Sequence, residues 1–316
     1  MEDGCGREIN YLRISVTERC NQHCVYCMPA VPKGRPCEGM PAEDIIEVVQ
    51  QAVPLGFTKF RLTGGEPLMR PDILRICEGI AETDGVQELT MTTNAQKLGE
   101  MAADLKHAGL QRVNISLDTL DSKKYRRITG GNIREVLQGM EAAYRSGLTP
   151  IKINAVLLGG INDDEIYKMV ELTRSCPLEL RFIELMPIGP AAHFPKNRFL
   201  PCSAVLDAVQ DLIPVSGGET GGVARMYQLP GGKGKVGLIS PLSCEFCDRC
   251  NRIRLTADGC LKPCLHSNEE IRLRGLRGQQ LQWALKLAIA HKPERHGELD
   301  AQHPSPAARA MNQIGG

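Results

Sequence analysis

Leu12-Arg13-Ile14-Ser15-Val16-Thr17-Glu18-Arg19-Cys20-Asn21-Gln22-His23-Cys24-Val25-Tyr26-Cys27 begins with a short β-branched run and ends on three cysteines spaced C-x3-C-x2-C. The run predicts a strand over residues 12–16, which places the cysteines in the loop after a first strand. In a barrel of β/α units that loop belongs to the catalytic face. Three thiolates suit three irons of a cubane cluster and leave the fourth iron open to a ligand. Zinc is the alternative, but a structural zinc site takes four closed ligands and usually shows two paired C-x2-C units. His23 can be put forward as a fourth ligand, and its place between Cys20 and Cys24 gives that idea no independent support. Ligand softness, with an aromatic residue (Tyr26) before the last cysteine, favours iron and sulfide.

Outward from this loop the chain alternates. Further strands are predicted over 59–63, 88–92, 112–117, 151–157 and 180–185, with helices over 42–53, 71–81, 97–107, 133–146 and 163–174. Gly56, Gly109 and Gly147 each follow a helix, where a left-handed cap favours glycine. Six strands with helical crossovers imply a parallel sheet, and right-handed crossovers would curl it into a barrel or partial barrel. Periodicity does not separate that from a doubly wound sheet. After about residue 190 the pattern changes. Segments 187–202, 216–222 and 230–234 are rich in proline or glycine, and extended runs at 223–229, 236–240, 252–256 and 260–265 precede a helical stretch within 271–289. The tail from Pro293 has few apolar residues and reads as loosely ordered.

Composition narrows the classes. Hydrophobic residues are 42% of the 316, enough for a large core, and there is no run of about 18 apolar residues to span a membrane. Residues 1–13 are polar and charged, unlike a secretory signal, so an intracellular, cytoplasmic protein is expected. Thirty-eight basic and 37 acidic residues leave a net charge of +1, which gives no global reason for a nucleic-acid or membrane partner. Thirteen cysteines are many for a reducing compartment, where metal or catalysis explains them better than disulfides. Cys5, Cys37, Cys77, Cys176 and Cys202 are scattered and read as small buried hydrophobes or inert thiols.

A second group, Cys247-Asp248-Arg249-Cys250 and then Cys264, is C-x2-C-x13-C. Cys244 and Cys260 lie nearby, so a closed four-cysteine zinc site competes here. Arg252 and Arg254 fall on one face of the strand after Cys250. Two guanidiniums aimed at one place are costly unless an anion or polar ligand meets them, though a pair of solvated charges is the plainer reading. Arg13, Arg61 and Arg181 lie in otherwise apolar runs, where an unpaired guanidinium is expensive. Salt bridges to Glu66, Asp118 or Glu184 would relieve them, and so would a pocket holding a triphosphate of about four negative charges. There is no GxxxxGK[ST] loop, so phosphates are not expected to bind in P-loop fashion. Thr63-Gly64-Gly65-Glu66-Pro67 ends the second strand with two glycines that let backbone approach a ligand, and a carboxylate that can accept from an ammonium. A plain turn is the alternative, and core packing is the alternative for Met186.

The C-x3-C-x2-C motif with Tyr26 resembles the radical S-adenosylmethionine (SAM) superfamily. Residues 12–29, FRLTGGEPLMRPD, TTN, NISLDTLD, GIND, LRFIELMPIG, FCDRCNRIRLTADGCLKPCL and the terminal Gly315-Gly316 together resemble the GTP 3′,8-cyclases of molybdenum-cofactor biosynthesis, over essentially the whole chain. The resemblance implies an α/β fold, an incomplete (β/α)6 TIM-like barrel with a C-terminal extension carrying a second iron–sulfur cluster. Its parts would be a core over 1–190, a cluster and GTP region over 191–292, and a flexible tail over 293–316. It implies two 4Fe–4S clusters, on Cys20, Cys24 and Cys27 and on Cys247, Cys250 and Cys264. SAM contacts fall on Tyr26, Gly65, Glu66, Ser116, Asn154 and Met186. GTP contacts fall on Arg13, Lys59, Arg61, Thr92, Lys152, Arg181, Arg252 and Arg254. Of these, Arg13, Arg252 and Arg254, with Gly315 and Gly316 of a tail that enters the site, carry catalysis. In the implied reaction a 5′-deoxyadenosyl radical takes hydrogen from C3′ of GTP, and C3′ then bonds to C8 of guanine. The implied partners are GTP, an electron donor and a downstream cyclic pyranopterin monophosphate synthase. Members of that family often form a homodimer. Ala95 departs from the pattern, standing where a glycine usually follows TTN. A peptide-modifying radical SAM maturase would need a peptide-recognition segment, and none is evident. An RNA-binding zinc protein would need aromatic platforms, and aromatic residues are only 4%.

Overall fold

Alternation along the strands is the organising feature. In the first, Leu12 and Ile14 are fully buried in an apolar core, whereas Arg13 between them faces a cavity. The same period of two puts Phe60 and Leu62, Val113 and Ile115, and Leu180 and Phe182 in the core. Arg61, Asn114 and Arg181 fall on the opposite face, lining the cavity. The sheet therefore has an apolar outer face and a polar inner one.

The computed structural model describes residues 1–29, 37, 39–216 and 222–315, so Gly316 and most of the 216–222 turn lie outside the described residues. The elements run β1 (Tyr11–Ser15), α1 (Ala42–Ala52), β2 (Lys59–Thr63), α2 (Ile73–Ala81), β3 (Glu88–Thr93), α3 (Leu98–His107), β4 (Arg112–Ser116), α4 (Ser122–Thr129), α5 (Ile133–Arg145), β5 (Lys152–Leu157), α6 (Ile166–Ser175) and β6 (Glu179–Glu184). Next come α7 (Ser203–Ala208), β7 (Ile213–Pro214), β8 (Arg225–Gln228), β9 (Lys235–Ile239), β10 (Arg252–Leu255), β11 (Cys260–Lys262), β12 (Ile271–Arg272), α8 (Gln279–Ala290) and α9 (Met311–Ile314). The six core strands fall within a residue of the predicted positions. Helix α4 was not expected: SKKYRRIT is too charged for a periodic reading. Its N-cap Asp121 accepts from the amides of Lys123 and Lys124, and Tyr125 and Ile128 bury its inner face.

Strand order is β12-β11-β10-β1-β2-β3-β4-β5-β6-β9-β8-β7. The strands β1 to β6 pair in parallel in chain order, as an incomplete (β/α)6 barrel requires. Among the described residues, the chain beyond residue 190 builds no separate sheet. Instead β10 adds in parallel beside β1 and β9 in parallel beside β6, so the extension lengthens the core sheet at both ends. Between β3 and α3 the chain turns through Ala95 at φ 62°, the left-handed region that glycine takes more easily, and the Thr93 hydroxyl accepts the Ala95 N–H.

The tail, expected to be loosely ordered for want of apolar residues, lies against the body through polar contacts over its described part. The Ser305 amide donates to the Pro187 carbonyl, Asn268 holds Pro306 and Ala308, and Arg309 pairs with both Asp258 and Glu270. Ile314 is then 1% exposed.

Candidate active site

A cavity of about 320 Å³ opens at the C-terminal ends of the strands, and both cysteine triads line it. The first triad sits on the loop after β1. The loop is tied internally by the Cys27 and Met28 amides, which donate to the Cys24 carbonyl. It is tied to the end of β2 by the Gly65 amide on the Thr17 carbonyl (2.7 Å) and the Glu66 amide on the Arg19 carbonyl (2.8 Å). A Cβ on Gly65 would lie 2.3 Å from the Arg19 carbonyl oxygen, so what comes close to this glycine is the cysteine loop. Glu66, 1% exposed, accepts from the Thr93 hydroxyl and the Asn94 and Leu68 amides. Burial raises its carboxyl to about 7 against those hydrogen bonds. Tyr26 uses its hydroxyl on Asp118 (2.6 Å), whose other oxygen accepts the Val156 amide. Ser116, Asn154 and Met186 also line the cavity.

Strand register assembles the cations. Arg13 pairs with Arg254 on one side and Arg61 on the other, so β10, β1 and β2 present three arginines abreast. Burial first, then the neighbouring Arg254, pushes the Arg13 guanidinium well below its usual range. Burial and Arg252 lower Arg254 to about 10. Arg61 packs over the Tyr11 ring (5.3 Å) and Arg252 over Phe246 (5.8 Å). The carboxylates suggested as partners are engaged elsewhere. Glu66 and Asp118 bond as described, and Glu184 accepts from the Cys202, Leu242 and Ser243 amides. Glu179 instead takes Arg181 and Lys152. Neither Lys59 nor Lys152 is among the lining residues. Lys59 opens β2 at the end away from Thr63, and Lys152 is 1% exposed against Glu179. Several buried polar atoms on the cavity wall have no hydrogen-bond partner among the described residues: Thr92 Oγ1, Asn114 Nδ2, Asn154 Oδ1 and Arg252 Nε. Such orphans fit a site built for a polar ligand.

The second triad differs electrostatically from the first. Burial raises Cys20 to about 11 and Cys27 to about 12, and pushes Cys24 well above its usual value. Burial also opposes ionisation of Cys250, but Arg252 and Lys292 outweigh it and bring that thiol to about 7. At Cys247 burial is outweighed by a hydrogen bond from His296. Cys244 is exposed and Cys260, buried in β11, donates its amide to Thr256; neither lines the cavity. Among the described residues, Glu245, Cys247 and His296 bring ligand atoms within 4.8 Å of one another, as do Glu298, Asp300 and His303, but neither cysteine triad is drawn in so tightly. One zinc ion with Zn–S bonds of about 2.3 Å would hold its thiolates closer than that. The wider spread suits a multi-iron cluster. With iron removed, Cys250 is expected to react with iodoacetamide near neutral pH at least about tenfold faster than Cys20, Cys24 or Cys27, since the thiolate is the nucleophile. Peptide mass mapping over time checks this, and equal rates would contradict the electrostatic asymmetry.

The Radical SAM superfamily profile matches residues 14–173, and the Molybdenum Cofactor Synthesis C profile matches residues 178–298. A GTP 3′,8-cyclase of Alkaliphilus oremlandii is 47% identical over 322 residues, covering 100% of both chains. The chain belongs to the GTP 3′,8-cyclase family, within the radical SAM superfamily. A second family member, from Moorella thermoacetica, is 46% identical over 330 residues, again covering 100% of each chain. Among solved structures, Streptococcus suis SuiB bound to S-adenosylmethionine aligns with a TM-score of 0.61 at 16% identity, over 84% of this chain and 63% of that one. That likeness shows the shared fold. No helix among the described residues is long and apolar enough to cross a membrane.

Asn94, Asn114, Asp118, Phe246, Lys292 and His296 line the cavity without having been singled out as site residues. Asn94, Asn114, Asp118 and Phe246 lie inside quoted motifs. Lys292 and His296 come after a helix and carry no local signal.

Proposed function

We propose that the chain is a radical SAM GTP 3′,8-cyclase, forming 3′,8-cyclo-7,8-dihydro-GTP in the first step of molybdenum-cofactor biosynthesis. Family membership supports the activity. The observation that carries it to this site is the row Arg254, Arg13 and Arg61, set abreast in a cavity that both cysteine triads line. Cys20, Cys24 and Cys27 hold one 4Fe–4S cluster, and Cys247, Cys250 and Cys264 hold the other. When bound, the first cluster with SAM supplies the 5′-deoxyadenosyl radical that takes hydrogen from the ribose. The chain's own groups bind and orient. Glu66 accepts the SAM ammonium, and Ser116 and Asn154 offer hydrogen bonds to the rest of SAM. The buried arginines lose their mutual repulsion when the GTP phosphates and base come between them. Holding C3′ and C8 in contact in a closed site is the protein's share of the acceleration. The product passes to a cyclic pyranopterin monophosphate synthase, and a separate donor in the cytoplasm supplies the electron.

Anaerobic, iron-reconstituted protein with SAM, dithionite and GTP tests this reading by mass spectrometry. It requires 5′-deoxyadenosine together with a GTP isomer. Deoxyadenosine without the isomer would reject GTP as substrate. Colourless zinc protein with neither product would reject the whole reading.

The role of Glu66 has a pH signature. Above about 7 its carboxylate is ionised and can pair with an ammonium; as pH falls through that value it protonates and the partner is lost. SAM affinity is expected to weaken roughly tenfold between about pH 8 and about pH 6, measured by anaerobic equilibrium dialysis. Glu66→Gln should flatten the profile, and a flat wild-type profile would remove Glu66 from this role.

A further inference from the structure

Lys292 lies two residues beyond α8 and is 7% exposed. Its ammonium makes three contacts: the Arg252 carbonyl at 2.9 Å, the Pro263 carbonyl at 3.1 Å and the Cys250 sulfur at 3.4 Å. These use the three donors that a lysine has. The two carbonyls belong to the residue two after Cys250 and the residue before Cys264, so one side chain ties together the backbones that present two thiols of the second triad. Only the third partner can carry a full negative charge. A buried ammonium resting on neutral carbonyls alone would be expensive, and a thiolate at Cys250 makes the position favourable. Arg7 grips the same region differently, through the Cys247, Pro293 and Glu294 carbonyls, with its charge met by Asp3.

We propose that Lys292 is a positioning residue of the second cluster: it sets the Cys250 and Cys264 loops through their neighbouring carbonyls and, by donating to the Cys250 sulfur, holds that cluster's reduction potential up. Reduction adds negative charge, which a donor and a cation at the ligand sulfur stabilise. The inference rests on the two-cluster reading above.

The test uses the full chain carrying Cys20→Ala, Cys24→Ala and Cys27→Ala, reconstituted with iron and sulfide so that only the second triad can load. About four irons per chain are expected. The midpoint potential is then read by electron paramagnetic resonance during a redox titration. Lys292→Met is expected to lower the reduced-to-oxidised ratio at a given potential about tenfold, a shift of about 59 mV for one electron. Lys292→Arg should recover at least half of it. Lys292→Gln, which keeps an N–H donor and drops the charge, is the second variant should Lys292→Met not hold iron, and a downward shift in it supports the proposal. An unshifted potential in iron-loaded variants overturns the proposal alone. A parent chain that takes up no iron overturns the two-cluster reading, and the proposal with it.

Discussion

Gly315→Ala is expected to lower cyclised-product formation by at least about 100-fold while leaving iron content and the visible spectrum unchanged, because a misplacement of about 1 Å near a reacting centre costs that much. Gly315 stands at φ 80° in the left-handed region, and its added Cβ would meet Thr63 Oγ1 at 2.2 Å and the Ser15 Cβ at 3.2 Å. Neither neighbour can yield. Thr63 is 1% exposed at the end of β2 and donates to the Ile14 carbonyl, and Ser15 is 2% exposed at the end of β1. The tail must therefore back away, and the Gly315 carbonyl leaves Arg254, whose guanidinium donates to it. Adding Thr63→Ala removes the nearest atom and should recover part of the activity, the backbone strain of about 1–2 kcal/mol remaining. Undiminished turnover of Gly315→Ala would show that the tail does not need this seat. Cysteine ligands are untouched by either change, so iron analysis separates a tail effect from a cluster effect.

Cys264→Ala should separate the two halves of the reaction. Loss of one thiolate from the second triad is expected to reduce bound iron from about eight to about four per chain. SAM cleavage by dithionite should continue, and the GTP isomer should fall below detection. Cys264 lies just past β11, next to the Pro263 carbonyl that Lys292 holds, and lines the cavity beside Arg252 and Arg254. Removing its sulfur leaves those arginines without the nearby group that orders their side of the pocket. Full iron content with full activity would exclude Cys264 as a ligand. Zinc in place of the missing iron would revive the closed-zinc reading of this cysteine group.

Much of this architecture is written locally. Strand and helix alternation over 11–184 comes from periodicity and glycine caps, which involve residues a few positions apart. The spacings C-x3-C-x2-C and C-x2-C-x13-C identify metal-binding thiols because ligand geometry constrains neighbouring residues. Helix α4 escaped because its apolar residues are too few to show a period, and its short tight cap lies at Asp121 amid charged neighbours. The polar inner face was also visible in part, since an arginine in a β-branched run signals a pocket or a partner.

The neighbours of those arginines were not visible. Arg13 meets Arg254 because β10, about 240 residues downstream, pairs in register with β1. A shift of one residue would turn Arg254 into the core. Likewise Arg309 reaches Asp258 and Glu270, and Lys292 reaches Cys250, across 39 to 51 residues of chain. Residue type and spacing name the chemistry that each segment can perform, since short-range geometry is carried by covalent structure. Which segments share one cavity depends on strand register and on the burial of charge between distant elements, and those arise only when the whole sheet closes on its core.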